Sequence, residues 1–235
     1  IYNFLEIKDE LVELGYEFVT SGDTEVLLQA FKQWGPKCLD KLNGMFAFAV
    51  FDFVEEEVFI ARDRLGIKPL YYLIDDGSFS FASEPKSLIH LSNRPFELNI
   101  DSLCSYLCFR YPVSGSSFFS GIESLPMGHW MKVKNGDIVQ LERYWKLNDA
   151  FSLPKSGEAD EQIELLRKKL ESSVSKRMIA DVPVGSYLSG GIDSSAITAL
   201  MALNSNSPIH TFTIGFEEDG FNEFEFSRAV SEKFG

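Results

Sequence analysis

Seven consecutive residues, Ser189-Gly190-Gly191-Ile192-Asp193-Ser194-Ser195, stand between an apolar run at 184–188 and a run of small residues at 194–203. Two adjacent glycines let the backbone take positive φ and come close to a ligand. The loop amides and the free N–H groups of a helix start then form an anion nest. Ser189, Ser194 and Ser195 add hydroxyl donors, and Asp193 supplies a carboxylate able to hold Mg2+ against phosphates. The Lys of a G-x-x-x-x-G-K-[ST] loop is absent, which argues against a P-loop NTPase. A tight turn with a Ser or Asp helix cap accounts for the same string without any ligand, so both readings stand at this level.

Such a loop needs a strand to deliver it and a helix to receive it, and the flanking pattern supplies both. Residues 184–188 read as an apolar strand, 194–203 as a helix, and 209–214 as a second strand. Strand, loop, helix and strand in that order make a parallel α/β unit. Before it, Ile163, Leu166, Leu170, Val174 and Met178 recur at the spacing of a long amphipathic helix. The stretch 148–158 lapses into Asp, Ser, Pro, Lys and Gly and reads as a linker.

The pattern before the linker is different. Phe4, Ile7, Leu11 and Leu14 recur at helical spacing, with Gly15 where a helix C-terminus is often stopped. Residues 16–20 read as a short strand. Asp23 or Ser21 then caps a second helix carrying Val26, Leu27, Ala30, Phe31 and Trp34, which Gly35-Pro36 ends. Short Phe-rich strands follow at 45–52, 58–62, 70–74 and 79–82, separated by turns at Glu55-Glu56-Glu57, Gly66 and Asp75-Asp76-Gly77. Asn135-Gly136 signals a hairpin between 131–133 and 138–141. The first part is thus antiparallel strands with helices, the second α/β.

Composition narrows the function classes. The net charge of −13, from 22 Lys and Arg against 35 acids, disfavours a general binder of nucleic-acid backbones. A small anion such as ATP needs only a local cradle. Cys38, Cys104 and Cys108 form no disulfide-scaffold pattern, which fits a reducing, cytoplasmic compartment. Cys104 and Cys108 stand four apart on one helical face, yet no further ligand set accompanies them. They read as small buried apolar residues. No apolar run approaches the roughly 20 residues that cross a bilayer. The chain opens on Ile1 and closes on Gly235 just after an amphipathic segment, so it is expected to be a fragment cut at both ends.

The seven-residue loop resembles the SGGxDSS loop of the ATP-pyrophosphatase family, which cleaves ATP to AMP and pyrophosphate. The resemblance implies that Ser189, Gly190, Gly191, Asp193, Ser194 and Ser195 bind ATP, with Mg2+ at Asp193. It implies nucleotide contacts at Leu188 and Ile214, at the ends of the two strands. The first part carries Ile1-Tyr2-Asn3, Ser21-Gly22-Asp23-Thr24-Glu25 and Leu42-Asn43-Gly44-Met45-Phe46-Ala47-Phe48. It also carries the run from Arg62-Asp63-Arg64-Leu65-Gly66 through Ile67-Lys68-Pro69-Leu70-Tyr71-Tyr72, then Phe81-Ala82-Ser83-Glu84 and Tyr144-Trp145. These stretches are similar to the class II glutaminase domain of glutamine-hydrolysing asparagine synthetases. The resemblance covers nearly the whole chain. It implies an α+β N-terminal-nucleophile hydrolase layer fold at 1–147, a linker at 148–158, and the start of a parallel-sheet ATP-pyrophosphatase domain at 159–235.

In that family a Cys at the mature amino terminus attacks the glutamine side-chain amide, and ammonia passes through a tunnel to the synthetase site. Residue 1 here is Ile, so no catalytic residue is expected within the chain, and the fragment alone is expected to be inactive. Asp23 aligns with the carboxylate that holds the glutamine α-ammonium, a role compatible with capping its helix. The resemblance implies an ATP-dependent carbon–nitrogen ligase. ATP activates aspartate as β-aspartyl-AMP, and ammonia from glutamine displaces AMP to give asparagine. A relative amidating a sugar acid or closing a ring, and a non-catalytic regulator binding glutamine or nucleotide, are the alternatives. Small molecules are the expected partners, without nucleic acid or membrane, and a homodimer stays open. Arg62, Asp63, Arg64 and Lys68, with Glu84, read as a structural ion-pair network. His90, His129 and His210 are isolated from any nucleophile or ligand set, and Glu55-Glu56-Glu57 reads as a solvated turn.

Overall fold

The computed structural model describes residues 1–92, 94–113, 115–151, 157–215 and 223–234. It falls into two compact units, Ile1 with Asn3–Leu153 and Tyr2 with Pro154–Gly235. In the first, helices α1 (Phe4–Glu13), α2 (Asp23–Trp34) and α3 (Cys38–Lys41) precede the strands. Strands β1 (Ala47–Asp52), β2 (Glu57–Arg62), β6 (His129–Lys134) and β7 (Asp137–Arg143) form one antiparallel sheet in the order β1-β2-β6-β7. Strands β3 (Tyr71–Asp75), β4 (Ser78–Ala82) and β5 (Ile122–Ser124) form a second, in the order β4-β3-β5. Helices α4 (Pro85–Leu91), α5 (Ile100–Phe109) and α6 (Leu147–Phe151) complete the unit.

The layering follows from the two-residue alternation of side chains along a strand. Phe59 and Ala61 of β2 point into a cluster with Ile7, Leu11, Val26, Ala30 and Leu39 of the helices. Ile60 between them points the other way, to Met131 and Val133, where Tyr72 and Phe79 of the second sheet meet them. The far face of that sheet puts Leu73 and Ile122 against Leu88 of α4. The order is therefore helices, sheet, sheet, helix, which is the α+β layer arrangement expected. Each fully buried side chain of this size stabilises the fold by roughly 1.5–3 kcal/mol. Phe59 is the hinge of the aromatic cluster, with ring centroids 4.6 Å from Phe31 and 5.3 Å from Trp130. Gly15 follows α1 at φ 91°, and Asn135-Gly136 take φ 53° and 86° in the β6–β7 hairpin, as their types predict.

Several local expectations give way to longer-range partners. Residues 16–20 form no strand. The Glu25 carboxylate takes the N–H groups of Val19 and Thr20, so their donors serve a side chain instead of a neighbouring strand. Cys104 and Cys108 are exposed, not buried. Helix α5 turns Ser102 inward instead, its hydroxyl 2.7 Å from that of Ser116, while Asn99 caps the helix by accepting from Ser102 N–H. Glu57 is not merely a solvated turn residue, because it pairs with Lys132 at 3.3 Å and Lys134 at 3.5 Å. Helix α6 occupies part of the segment read as a linker, and residues 152–156 of that segment lie outside those described.

In the second unit α7 (Ala159–Arg177) opens on a capping box between Glu158 and Glu161. Strands β8 (Gly185–Tyr187) and β9 (His210–Phe212) pair in parallel, Ser186 opposite Thr211, with α8 (Ile192–Leu203) between them and α9 (Phe224–Phe234) after them. The expected strand–loop–helix–strand unit is thus present. A buried hydroxyl pair, Ser186 to Thr198 at 3.0 Å, ties β8 to α8. The apolar stripe of α7 is largely exposed: of Ile163, Leu166, Leu170 and Val174 only Val174 is buried, and Met178 falls just past the helix end as its C-cap.

Cys38 is fully buried, and its thiol is pushed from 9.0 up to about 12, by burial first and by the Asp40 carboxylate second. A raised folded value means that the unfolded chain loses this proton first. The stability contributed by the neutral thiol is fully present below pH 9.0 and is lost as pH climbs through about 12. Urea midpoints measured from pH 7 to 11 should fall above pH 9, and Cys38→Ala should flatten that decline by about 1.4 kcal/mol per pH unit. The Tyr144 hydroxyl, also raised by burial, leaves a residual slope in the variant.

Candidate functional site

The loop of the second unit is built where the parallel pair ends. Leu188 N–H donates to Phe212 O at 2.9 Å, and Thr213 Oγ1 donates to Leu188 O at 2.7 Å, so the two strand ends are locked together. In open parallel sheets this carboxyl edge is where ligands enter. Leu188 is 1% exposed and offers a ligand only backbone, whereas Ile214 is 71% exposed. Gly190 takes φ 85°, while Gly191 sits at φ −67°, ψ 162° as the N-cap of α8. The positive φ that the sequence assigns to the glycine pair therefore falls on Gly190 alone. A Cβ there would lie 2.4 Å from Phe226 Cβ and 2.7 Å from Ser227 N of α9, whereas one on Gly191 would meet only Ser189 Oγ at 3.5 Å.

No side chain caps α8, so the Ser or Asp cap alternative is not the arrangement found. The first N–H groups of the helix keep no intrahelical partner. Ser189 Oγ lies 3.0 Å from Ser194 Oγ, which also donates to Gly191 O at 3.1 Å. Ser195 Oγ is buried without a hydrogen-bond partner among the described residues, the situation expected of a donor awaiting a ligand. Asp193 is exposed in the first turn. Free helix amides, an orphaned hydroxyl and one carboxylate fit a phosphate chain carrying Mg2+, which takes one or two carboxylates and completes its shell with phosphate and water. Among the described residues no group of three or more His, Cys, Asp or Glu could hold a metal by itself.

The first unit has a cavity of about 280 Å3 lined by Asp23, Thr24, Leu27, residues 45–48, Lys68, Pro69, Ser83 and Ile1. Asp23 opens α2 behind Gly22 but makes no capping bond; its Oδ2 accepts from the Ile1 amino nitrogen at 2.6 Å. The segment before it is held by Glu25, which sequence reasoning missed. Its Oε2 accepts from Thr20 N–H and Thr20 Oγ1, each at 2.6 Å. The Thr20 hydroxyl, with the Val19 and Thr20 amides, holds this carboxyl below its ordinary value. No spacing rule finds Glu25, since its bonds run backward into chain without regular structure.

Arg62, Asp63 and Arg64 do not pair with one another: their partners are backbone groups, apart from Ser124 Oγ, to which Arg62 donates at 2.7 Å. Asp63, 1% exposed, accepts from the N–H groups of Phe46, Leu65, Ile67 and Lys68 at 2.9–3.2 Å. Arg62 donates to the carbonyls of Lys68 and Leu125 at 2.8 and 2.7 Å and to that of Gly66 at 2.8 Å. Arg64 donates to the carbonyls of Leu39, Asp40 and Leu42 at the end of α3. Glu84 does not join them and pairs with Lys86 on the surface. His129 Nδ1 lies 2.8 Å from Met127 O, while His90 lies in α4 and His210 in β9. None of the three cysteines lines the Asp23 cavity.

Comparison with known proteins bears on both units. The family profile described as asparagine synthase matches residues 165–235. The putative asparagine synthetase [glutamine-hydrolyzing] of Mycobacterium tuberculosis is 39% identical over 240 residues, covering 100% of this chain and 37% of its own length. Asparagine synthetase [glutamine-hydrolyzing] 1 of Bacillus subtilis is 35% identical over 100% of this chain and 36% of its own. The chain thus spans little more than a third of these relatives. A solved glutamine phosphoribosylpyrophosphate amidotransferase from B. subtilis matches 94% of this chain and 45% of its own, with 20% identity and a TM-score of 0.42. The profile of the glutamine amidotransferase domain matches residues 1–145, more than half of the chain, and the chain belongs to that family.

Proposed function

We propose that the chain is part of a glutamine-hydrolysing asparagine synthetase, with residues 1–147 forming the glutaminase part and 159–235 opening the synthetase part. The observation that carries this is the order of the two profile matches along one chain, amidotransferase before asparagine synthase, in a sequence alike from end to end to synthetases. The phosphate loop supports it: uncapped helix amides, the Gly190 turn and the orphaned Ser195 hydroxyl suit a pyrophosphate group.

In this reading an aspartate β-carboxylate oxygen attacks the α-phosphorus of ATP, and the bond to pyrophosphate breaks. The loop amides with Ser189, Ser194 and Ser195 hold the departing pyrophosphate, where fixed dipoles offset its growing charge. Mg2+ bound through Asp193 would neutralise phosphate charge. Leu188 through its backbone and Ile214 through its exposed side chain border the nucleotide. Ammonia then adds to the acyl carbon, AMP leaves, and a proton is released. In the glutaminase part Asp23, which lines the cavity of the first unit, holds the glutamine α-ammonium. Three free thiols and a small-molecule chemistry favour the cytoplasm. No helix among the described residues is long and apolar enough to cross a membrane.

The loop is tested by ATP affinity in the natural full-length protein. Gly190→Ala should abolish binding, since it forces a Cβ into the α9 backbone at positive φ. Asp193→Ala should weaken Mg-ATP about tenfold, in line with the loss of one charge-assisted contact. Gly191→Ala should be mild. Equal sensitivity at the two glycines, or unchanged affinity in Asp193→Ala, overturns the assignment. Pyrophosphate release that requires a carboxylate other than aspartate overturns the acceptor.

None of the chain's own thiols is the glutaminase nucleophile in this reading. Cys38 is buried with its thiol pushed up to about 12, and Cys104 and Cys108 lie on the outside of α5. A nucleophilic thiol needs thiolate character near neutral pH. The purified 235-residue chain should release no glutamate from glutamine above a buffer blank. Turnover that disappears on mutating any of the three cysteines defeats this assignment.

A further inference from the structure

We infer that Asp63 is a positioning residue for the glutamine pocket, one of its carboxylate oxygens fixing the separation of two pocket walls. The inference rests on the glutamine reading of the Asp23 cavity. One wall is the start of β1, around Phe46; the other is Lys68-Pro69, in the loop after β2. Asp63 Oδ2 accepts from Phe46 N–H at 3.2 Å and from Lys68 N–H at 2.9 Å, so a single atom joins both. Oδ1 accepts from Leu65 N–H at 3.1 Å and Ile67 N–H at 3.0 Å, which folds the loop back on itself. Asp63 N–H donates in turn to Phe46 O at 2.8 Å.

The arrangement needs a carboxylate and not merely a polar residue. Four N–H donors converge on one side chain, and only an ionised carboxylate offers two acceptor oxygens without a donor of its own. An Asn amide has one acceptor; its NH2 would face two donors and push one pair away. Arg62 fixes the same loop from the carbonyl side, through Lys68 O and Gly66 O. The loop between Asp63 and Pro69 therefore has donors held by one residue and acceptors by its neighbour. Neither side chain lines the cavity. Their influence falls on the fit of whatever enters and leaves the reacting atoms to other groups.

The test compares glutamine-dependent with ammonia-dependent product formation in the natural full-length protein. Asp63→Asn should raise KM for glutamine about tenfold, the scale of one lost hydrogen bond to a charged group, with kcat close to wild type. Ammonia-dependent rates should stay unchanged, since ammonia bypasses the pocket. An unchanged KM for glutamine overturns the inference. So does an equal loss of both activities, which marks Asp63 as a fold residue only. If Asp63→Asn does not accumulate as folded protein, Arg62→Lys replaces it. Lys keeps the charge but lacks the fork that reaches both loop carbonyls. The same rise in KM is expected there, and its absence is equally decisive. A wild-type protein that releases no glutamate from glutamine overturns the pocket reading itself, and the inference falls with it.

Discussion

A carboxylate buried to 1% exposure is costly unless its lone pairs are filled, and in the first unit four backbone amides fill those of Asp63. The rest of that unit is arranged around this solution. Asp63 follows directly on β2, and its alternation with Arg62 and Arg64 sends the three side chains in different directions. Arg62 reaches the loop carbonyls and, through Leu125 O, the chain after β5. Arg64 covers the carbonyls at the C-terminus of α3, where a cation is favoured by the helix dipole. Tyr144, near the end of the unit, closes the junction by donating to Arg62 O at 2.9 Å. Three consecutive residues thus connect the helix layer, both sheets and the loop beside the Asp23 cavity.

The strand at 58–62 and the Asn135-Gly136 hairpin were legible because strand residues and turn chemistry are local, whereas the burial of Phe59 and Ala61 on one face and Ile60 on the other emerges only in the fold. The misreadings share one cause. Val19 and Thr20 suit a strand, but Glu25 captures their amides. Cys104 and Cys108 suit a core, but Ser102 and Ser116 make the inward contact of α5 through a hydroxyl pair. Glu57 suits a turn until two lysines on β6 come opposite it. In each case a polar partner outside the local window decided the outcome, and hydrophobic period carries no information about such partners.

The candidate sites divide along the same line. That Ser189, Gly190, Gly191, Asp193, Ser194 and Ser195 lie on a loop between a strand and a helix could be read directly, because the glycine pair and the flanking patterns are local. Which glycine bends the chain could not be read. Asp23 was legible as a carboxylate at a helix start, yet its cavity draws walls from residues 45–48 and 68–69 that only the folded chain brings beside it.

The position of Gly190 shows why loop chemistry and loop shape have different sources. Either glycine of the pair tolerates positive φ, so torsional preference alone leaves two solutions. What separates them is α9: Phe226 Cβ and Ser227 N approach Gly190 so closely that no side chain fits, while Gly191 faces open space except for Ser189 Oγ. The bend is therefore selected by a helix that follows the second strand of the parallel pair. Leu188 O, held by Thr213 Oγ1, fixes the other end of the turn from that same strand's exit. A peptide of the seven loop residues would carry every amide and hydroxyl of the loop but neither of these constraints. Its amides would sample many directions, each at the entropic cost of about 1–2 kcal/mol per residue that folding has already met here. The shape of the loop is thus a property of β8, α8, β9 and α9 together, with the seven residues supplying amides and hydroxyls and the surrounding elements supplying their geometry.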